Sequence, residues 1–240
     1  MKTRLKAVTR RLSTVPLLGA AARRTRVLCL RWSTPFVIRS YLRAAADGKL
    51  HLGAGSGSGL PGWLNTDLCP GRWPTVRLDV TRRFPLPDAA FAYAFSEHMI
   101  EHVSLAAARR MLGECYRVLR PGGWIRIATP DLARVVRLHG AVDPAPRRYL
   151  DWALRHNRLP DDLPSDAVVI NSLFHDHGHR FLYDEPTLAA VLIAAGFSDP
   201  RRCAPGESSH PELRGLEVHH TAVGHDANNF ETLVLEARKP

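Results

Sequence analysis

The chain has 240 residues, 45% of them hydrophobic and 23% charged, which suits one globular domain with a substantial core plus extensions. Its net charge of +10 resides in residues 1–46, which hold eleven Lys or Arg and no acid; the other 194 residues carry 22 basic against 23 acidic side chains, a net of −1. Four well-separated cysteines with no C-x-x-C pair exclude a disulfide framework or a zinc ribbon, and no apolar run reaches the roughly 18 residues of a membrane span.

In the basic arm, Met1, Leu5, Val8 and Leu12 recur at helical spacing while Lys2, Arg4, Lys6, Arg10 and Arg11 take other positions, closed off before Pro16. Such a basic amphipathic helix can lie on anionic lipid, or it can be an extension whose charges are merely solvated. The acid-poor, Arg-rich start also has the character of a transit peptide, although the long apolar core of a secretory signal is missing. The expectation is a cytoplasmic protein with peripheral membrane contact through residues 1–12. Nucleic acid is not the expected partner, because few aromatics, Trp32 and Tyr41 among them, interleave with the arm's basic residues. The apolar stretch 35–42 is expected to dock on the domain as a helix.

Leu50 to Asp67 reads Leu-His-Leu-Gly-Ala-Gly-Ser-Gly-Ser-Gly-Leu-Pro-Gly-Trp-Leu-Asn-Thr-Asp, a short apolar strand, a glycine turn, and a second short strand ending on an acid. A turn without side chains lets a ligand approach the backbone, and an acid at the next strand tip can accept ribose hydroxyls. No Gly-Lys-Ser/Thr follows, so a nucleoside triphosphate is disfavoured. A G-x-G-x-x-G can be forced onto Gly57, Gly59 and Gly62, but Pro61 lies inside it and a strand follows where a helix should open. S-adenosylmethionine, which has no pyrophosphate, remains. A Gly/Ser surface loop is the plainer reading of the same residues.

Further on, Val76 to Val80 reads as a strand carrying Asp79, an acid that can meet the adenine amino group with Val80 on the ring, or can simply cap a turn. Phe91 to Phe95 suits a central strand ending at Ser96-Glu97-His98. Leu105 to Leu119 carries a helical apolar stripe, Arg120-Pro-Gly-Gly123 stops it, and Trp124 to Ala128 is the next strand. Residues 139–184 form a long insertion rich in Pro, Asp, Arg and His, read as a loop or a substrate lid. Asp184 as cap, Pro186 in the first turn and Gly196 as stop define a helix, after which 197–203 and 230–237 close the sheet as an antiparallel hairpin. The predicted fold is a doubly wound α/β sheet, mostly parallel.

Two histidine sets stand out. His98-Met-Ile-Glu101-His102 has the H-x-x-E-H order of an inverted zinc-peptidase motif, which makes a zinc hydrolase the rival reading, although it follows a strand where such pairs sit inside a helix. In the plainer view Glu101 and His102 only orient the next helix. His175-Asp-His-Gly-His179 can supply metal ligands but reads better as a polar loop. No metal site is assigned to either set.

In order along residues 48–131, Leu-His-Leu-Gly-Ala-Gly, Trp-Leu-Asn-Thr-Asp67, Leu-Asp79-Val, Ser-Glu-His-Met-Ile-Glu-His102 and Val-Leu-Arg-Pro-Gly-Gly-Trp resemble the class I S-adenosylmethionine-dependent methyltransferases, in particular the methyltransferase type 11 group. Gly178 to Asp184 and the helix behind it are similar to one bacterial subgroup. The resemblance implies a Rossmann-like methyltransferase domain over 47–240 with S-adenosyl-L-methionine as cofactor. It places Gly53, Ala54 and Gly55 beneath the methionine portion, Asp67 on the ribose, Asp79 and Val80 at adenine, and Ser96 beside the cofactor. One departure is that only residues 54–62 separate Gly53 from Trp63, so the helix that usually follows the glycine loop is reduced to a turn.

Methyl transfer from a sulfonium requires alignment and exclusion of water more than catalytic groups. A hydroxyl acceptor also needs a base, for which His98, His102 and His179 are the candidates, with Glu101 as an orienting partner. DNA amino-group methylation usually shows Asn/Asp-Pro-Pro-aromatic where this chain has Ser-Glu-His-Met, which disfavours that substrate. The expected acceptor is a hydroxyl or amine of a small molecule, glycan or lipid-linked substrate. A cofactor-binding module without turnover is the remaining alternative.

Overall fold

The computed structural model describes residues 34–55, 59–70, 74–156, 159, 162–163 and 165–240. The amphipathic helix expected over 1–12 therefore lies outside the described residues. Helix α1 spans 34–44 and docks as expected, with Ile38 buried in the main core and the Tyr41 ring stacked at 6.5 Å on Phe91. The Tyr41 hydroxyl donates to the Lys49 carbonyl and accepts from the Lys49 amide, tying the helix to the first strand.

Strands β1 (Lys49–Leu52), β2 (Leu64–Asp67), β3 (Val76–Arg77), β4 (Phe91–Glu97), β5 (Leu119–Pro130), β6 (Ser198–Cys203) and β7 (Thr232–Arg238) form one sheet in the order β3-β2-β1-β4-β5-β7-β6. Neighbours from β3 to β5 run parallel, while β7 lies antiparallel to both β5 and β6. The chain winds outward from β1 to β3 and returns to β4 beside β1. That reversal is a topological switch point, where the carboxyl ends of two adjacent strands open a crevice. Leu52 pairs with Ser96 across it.

Helix α2 (Leu105–Val118) forms where the apolar stripe predicts it, with the Ser104 hydroxyl accepting from the Ala107 amide and Met111, Leu112, Cys115 and Val118 fully buried. Each such side chain contributes about 1.5–3 kcal/mol of burial. Helix α6 (Glu185–Ala194) likewise starts on the Asp184 cap. Three expectations need correction. The strand expected over 76–80 pairs only at Val76–Arg77, because the chain leaves the sheet at Leu78, whose amide still donates to the Asp67 carbonyl. Strands β6 and β7 do pair antiparallel, but 28 residues separate them and β7 inserts between β5 and β6.

The third correction concerns the insertion. It is not one long loop: α3 (Leu132–Val136) leads into α4 (Pro144–His156) and α5 (Asp166–His175), which pack with α8 (His225–Glu231) around a cluster of their own. Tyr149, Leu150 and Ala153 recur at helical spacing and meet Val169 and Leu173, so the apolar face outweighs the prolines, which sit near helix starts and in the connection. The remaining helix is α7 (His220–Val223). Among the described residues, no helix is long and apolar enough to cross a membrane.

One sheet face carries a cross-strand row of Asn65, His51, Phe95, Arg126 and Glu236, polar at every position but Phe95, in register across β2, β1, β4, β5 and β7. Segment 204–217 covers it, with Leu213 and Leu216 packed on Trp63 and Phe95. Arg126 is fully buried and donates to Glu217 at 2.5 Å, to Glu236 at 2.6 Å and to the carbonyls of Glu207 and Ala204. Replacing one partner of such a group strands buried carboxylates. Arg126→Met is expected to lower unfolding free energy by about 3–5 kcal/mol, read as a drop in the denaturant midpoint.

Candidate active site

The glycine turn after β1 is fastened to β2. The amides of Gly53 and Ala54 both donate to the Thr66 carbonyl at 2.9 Å, and the Gly55 amide donates to Asp67 Oδ2 at 2.9 Å. Asp67 Oδ1 accepts from the Cys69 amide at 2.7 Å, so the carboxylate is oriented by two backbone donors and keeps further lone pairs for a ligand. Gly53 has φ +78°, and a Cβ there would come within 2.6 Å of the Met99 side chain. The turn thus abuts the segment that follows β4. At Gly55 a Cβ would meet none of the described atoms within 4 Å.

Asp79 lies just past β3, where Oδ1 accepts from the Thr81 hydroxyl at 2.7 Å and the Thr81 amide at 3.0 Å. The Thr81 hydroxyl bond, then the amide and the neighbouring Arg82, outweigh burial and hold the carboxyl below its usual value. Val80 is half-buried against the core. Ser96 is fully buried on β4, and its hydroxyl has no hydrogen-bond partner.

A second cluster begins where β4 ends. His98 has φ +44°, a left-handed conformation that costs a non-glycine residue on the order of 1 kcal/mol and marks a constrained position. Its Nδ1 lies 3.2 Å from Glu101 Oε1, and the other Glu101 oxygen accepts from the Thr129 hydroxyl at 3.0 Å. The Glu101 carbonyl accepts the amides of Arg180 and Phe181, which draws the insertion's end onto the site. Burial opposes charge on the His98 ring, but Glu101, with Glu231 and Glu97 beyond it, more than offsets this and raises its pKa. Burial likewise works to raise Glu101, and His98 reverses it to a net lowering.

The His98 ring stacks against His219 at 3.9 Å. His219 arrives from the far end of the chain because the Glu97 carboxylate accepts the amides of Val218 and His219, at 3.0 and 2.9 Å. His219 Nε2 pairs with Glu231 Oε1 at 2.9 Å, and the Tyr149 hydroxyl donates to Glu231 Oε2 at 2.5 Å. Burial, then Glu231, push the Tyr149 phenol well above its ordinary pKa. Opposite lie His102 and His179, rings 5.0 Å apart, with His179 Nδ1 donating to the Leu173 carbonyl at 2.5 Å. Burial depresses the His179 pKa. These groups wall a cavity of about 310 Å³ lined by His98, His102, His179, His219, Glu231 and Trp152 among others.

The structure therefore gathers His98, Glu101, His102 and His179 at one cavity, and sets Gly53, Ala54, Gly55 and Asp67 along the adjoining turn. The helical frame of a zinc-peptidase motif is absent: Ile100–His102 is a single 3-10 turn, His98 groups with His219 and Glu231, and His102 with His179. The strand leads straight into the turn, which leaves no helical face to hold two imidazoles together. His175 and His177 are exposed. Sequence reasoning missed Glu97, Tyr149, His219 and Glu231, which lie on four separate elements and share no local spacing; the adjacent His219 and His220 after Glu217 were the only visible signal.

Residues 50–127, from β1 into β5, match the family profile described as "Methyltransferase domain". That stretch, about a third of the chain, is similar to methyltransferase domains. No curated protein sequence matches the chain. Solved structures of similar fold include a methyltransferase from Thermotoga maritima described as a possible histamine N-methyltransferase, at 16% identity over 92% of this chain and 96% of that one, with a TM-score of 0.46. A methyltransferase from Archaeoglobus fulgidus is 16% identical over 89% of this chain and 94% of its own, with a TM-score of 0.47. Phosphoethanolamine N-methyltransferase 2 from Haemonchus contortus, solved with S-adenosyl-L-methionine, is 16% identical over 87% of this chain, with a TM-score of 0.46. The chain spans about half of that enzyme, 53% of its length.

Glu97 presents His219, so Glu97→Ala removes two charge-assisted acceptors. Hydrogen exchange at the Val218 and His219 amides should accelerate well beyond that of β1 and β4, with a stability loss of about 1.5–3 kcal/mol.

Proposed function

We propose that this protein moves the methyl group of S-adenosyl-L-methionine to a hydroxyl of a small-molecule, glycan or lipid-linked acceptor held in the histidine-walled cavity. The observation that carries this reading is the cavity's position at the carboxyl ends of β4 and β5, with Met99 joining its wall to the glycine turn. The residues present fit the cofactor. Ser96 offers a buried hydroxyl without a partner at the strand end, and a Cβ at Gly55 would meet none of the described atoms within 4 Å.

Asp67 would hold the ribose with its remaining lone pairs, and Asp79 and Val80 the adenine. Gly53, Ala54 and Gly55 let the methionine portion pass close to the backbone. When bound, the sulfonium supplies a methyl group that is displaced in line. His179 is the preferred base: with Nδ1–H committed to the Leu173 carbonyl, its Nε2 carries the lone pair, and burial keeps the ring neutral to take the hydroxyl proton. Glu101 lies 3.2 Å from the His98 ring at the cavity wall, and His102 packs against the His179 ring. In the same reading residues 1–46 are a basic extension to a catalytic domain over 47–240, and their charge favours acceptors presented at an anionic surface.

Calorimetric titration with S-adenosylhomocysteine is expected to give one site, with Asp67→Ala weakening it roughly 10- to 100-fold. Unchanged affinity in the variant would remove Asp67 from the site. In an acceptor screen by transfer of labelled methyl, His179→Ala is expected to lower kcat about 10²- to 10⁴-fold at unchanged S-adenosylhomocysteine affinity.

A further inference from the structure

We propose that His98, His219 and Glu231 form a site for a divalent transition-metal ion of the zinc class. The three side chains come from the end of β4, the segment before α7 and the end of α8, yet each presents one ligand atom and these atoms lie within 4.8 Å of one another. Tetrahedral coordination with bonds of about 2.0–2.2 Å sets ligand atoms roughly 3.4 Å apart. His219 Nε2 and Glu231 Oε1 stand 2.9 Å apart, and the His98 and His219 rings lie at 35° to each other with centroids 3.9 Å apart.

The strongest observation is His98 Nε2, a buried ring nitrogen with no hydrogen-bond partner. The opposite nitrogen of the same ring lies 3.2 Å from Glu101 Oε1 in an ion-pair contact, and the other Glu101 oxygen accepts from the Thr129 hydroxyl. A carboxylate on one imidazole nitrogen that leaves the other as a lone-pair donor is the arrangement that orients metal-binding histidines. Glu231 is supported in the same way, since Tyr149 holds the oxygen that does not face His219. Glu101 is thus a positioning residue and His102 is outside the ligand set, which separates this site from the H-x-x-E-H reading of the sequence.

Two imidazoles and one carboxylate select zinc, cobalt or nickel over magnesium or calcium. Three protein ligands leave a fourth position, and the cavity wall is where it opens. The ion's binding does not depend on the cavity taking a methyl acceptor.

The test uses the full-length, tag-free protein, stripped with a chelator and dialysed against Zn²⁺ or Co²⁺, with metal content and the visible Co²⁺ spectrum as readouts. One equivalent of metal and a tetrahedral-type Co²⁺ band are expected. His98→Ala and His219→Ala should lose both while keeping the wild-type far-UV circular dichroism spectrum, which separates loss of the ligand from loss of the fold. Glu101→Gln should bind roughly 10- to 100-fold more weakly, and His102→Ala should still bind one equivalent. Failure of the wild-type protein to take up metal overturns the proposal, as does uptake that survives His219→Ala or is abolished by His102→Ala. Because S-adenosylhomocysteine titration reports separately on the nucleoside site, a negative metal result leaves the methyl-transfer reading standing, and the converse holds.

Discussion

The guanidinium of Arg126, sealed between Glu217 and Glu236 under segment 204–217, is the constraint from which the rest of the site follows. An isolated charge at that depth is prohibitively costly, and the group persists only because two carboxylates and two carbonyls surround it. Its bonds clamp a stretch that has little regular structure of its own onto a bare sheet face. That clamp determines where residue 218 emerges, and Glu97 then seizes the next two amides. Without this sequence of attachments the chain would have no reason to carry His219 back to the end of β4.

Carboxylates rather than imidazoles do most of the positioning. Glu97 places His219, Glu101 fixes the His98 ring and gathers residues 180–181 with its carbonyl, and Glu231 joins His219 to Tyr149. Asp67 does the same for the glycine turn. The topology supplies the venue: because β1 and β4 are neighbours whose connections leave in opposite directions, the turn after one and the histidine segment after the other meet without any long-range contrivance.

This division explains what could be read from the sequence. Elements with a local signature were legible: the α2 stripe, the Ser104 and Asp184 caps, the strand at 50–52 and the glycine turn each state their structure within a dozen residues. His98, Glu101 and His102 lie within five residues of one another in the sequence, whereas His179 joins them only through the fold, its ring 5.0 Å from that of His102. Tyr149, His219 and Glu231 were not legible, since they reach the site through contacts 82 and 12 residues apart that no spacing encodes. The insertion was misjudged for a different reason. Its prolines and charges resemble a loop, whereas Tyr149, Leu150, Ala153, Val169 and Leu173 form an apolar seam only visible once two helices are laid together.

That seam makes α4 and α5 a cooperative unit with a core separate from the one under the sheet. Units of this kind open at a lower free energy than the whole domain unfolds. Since Tyr149, Trp152 and Leu173 belong both to this unit and to the cavity wall, sub-global opening of the pair would unroof the histidines while the parallel strands and the glycine turn remain intact. Access to that cavity from the side of these helices would then depend on the stability of the apolar seam rather than on that of the sheet.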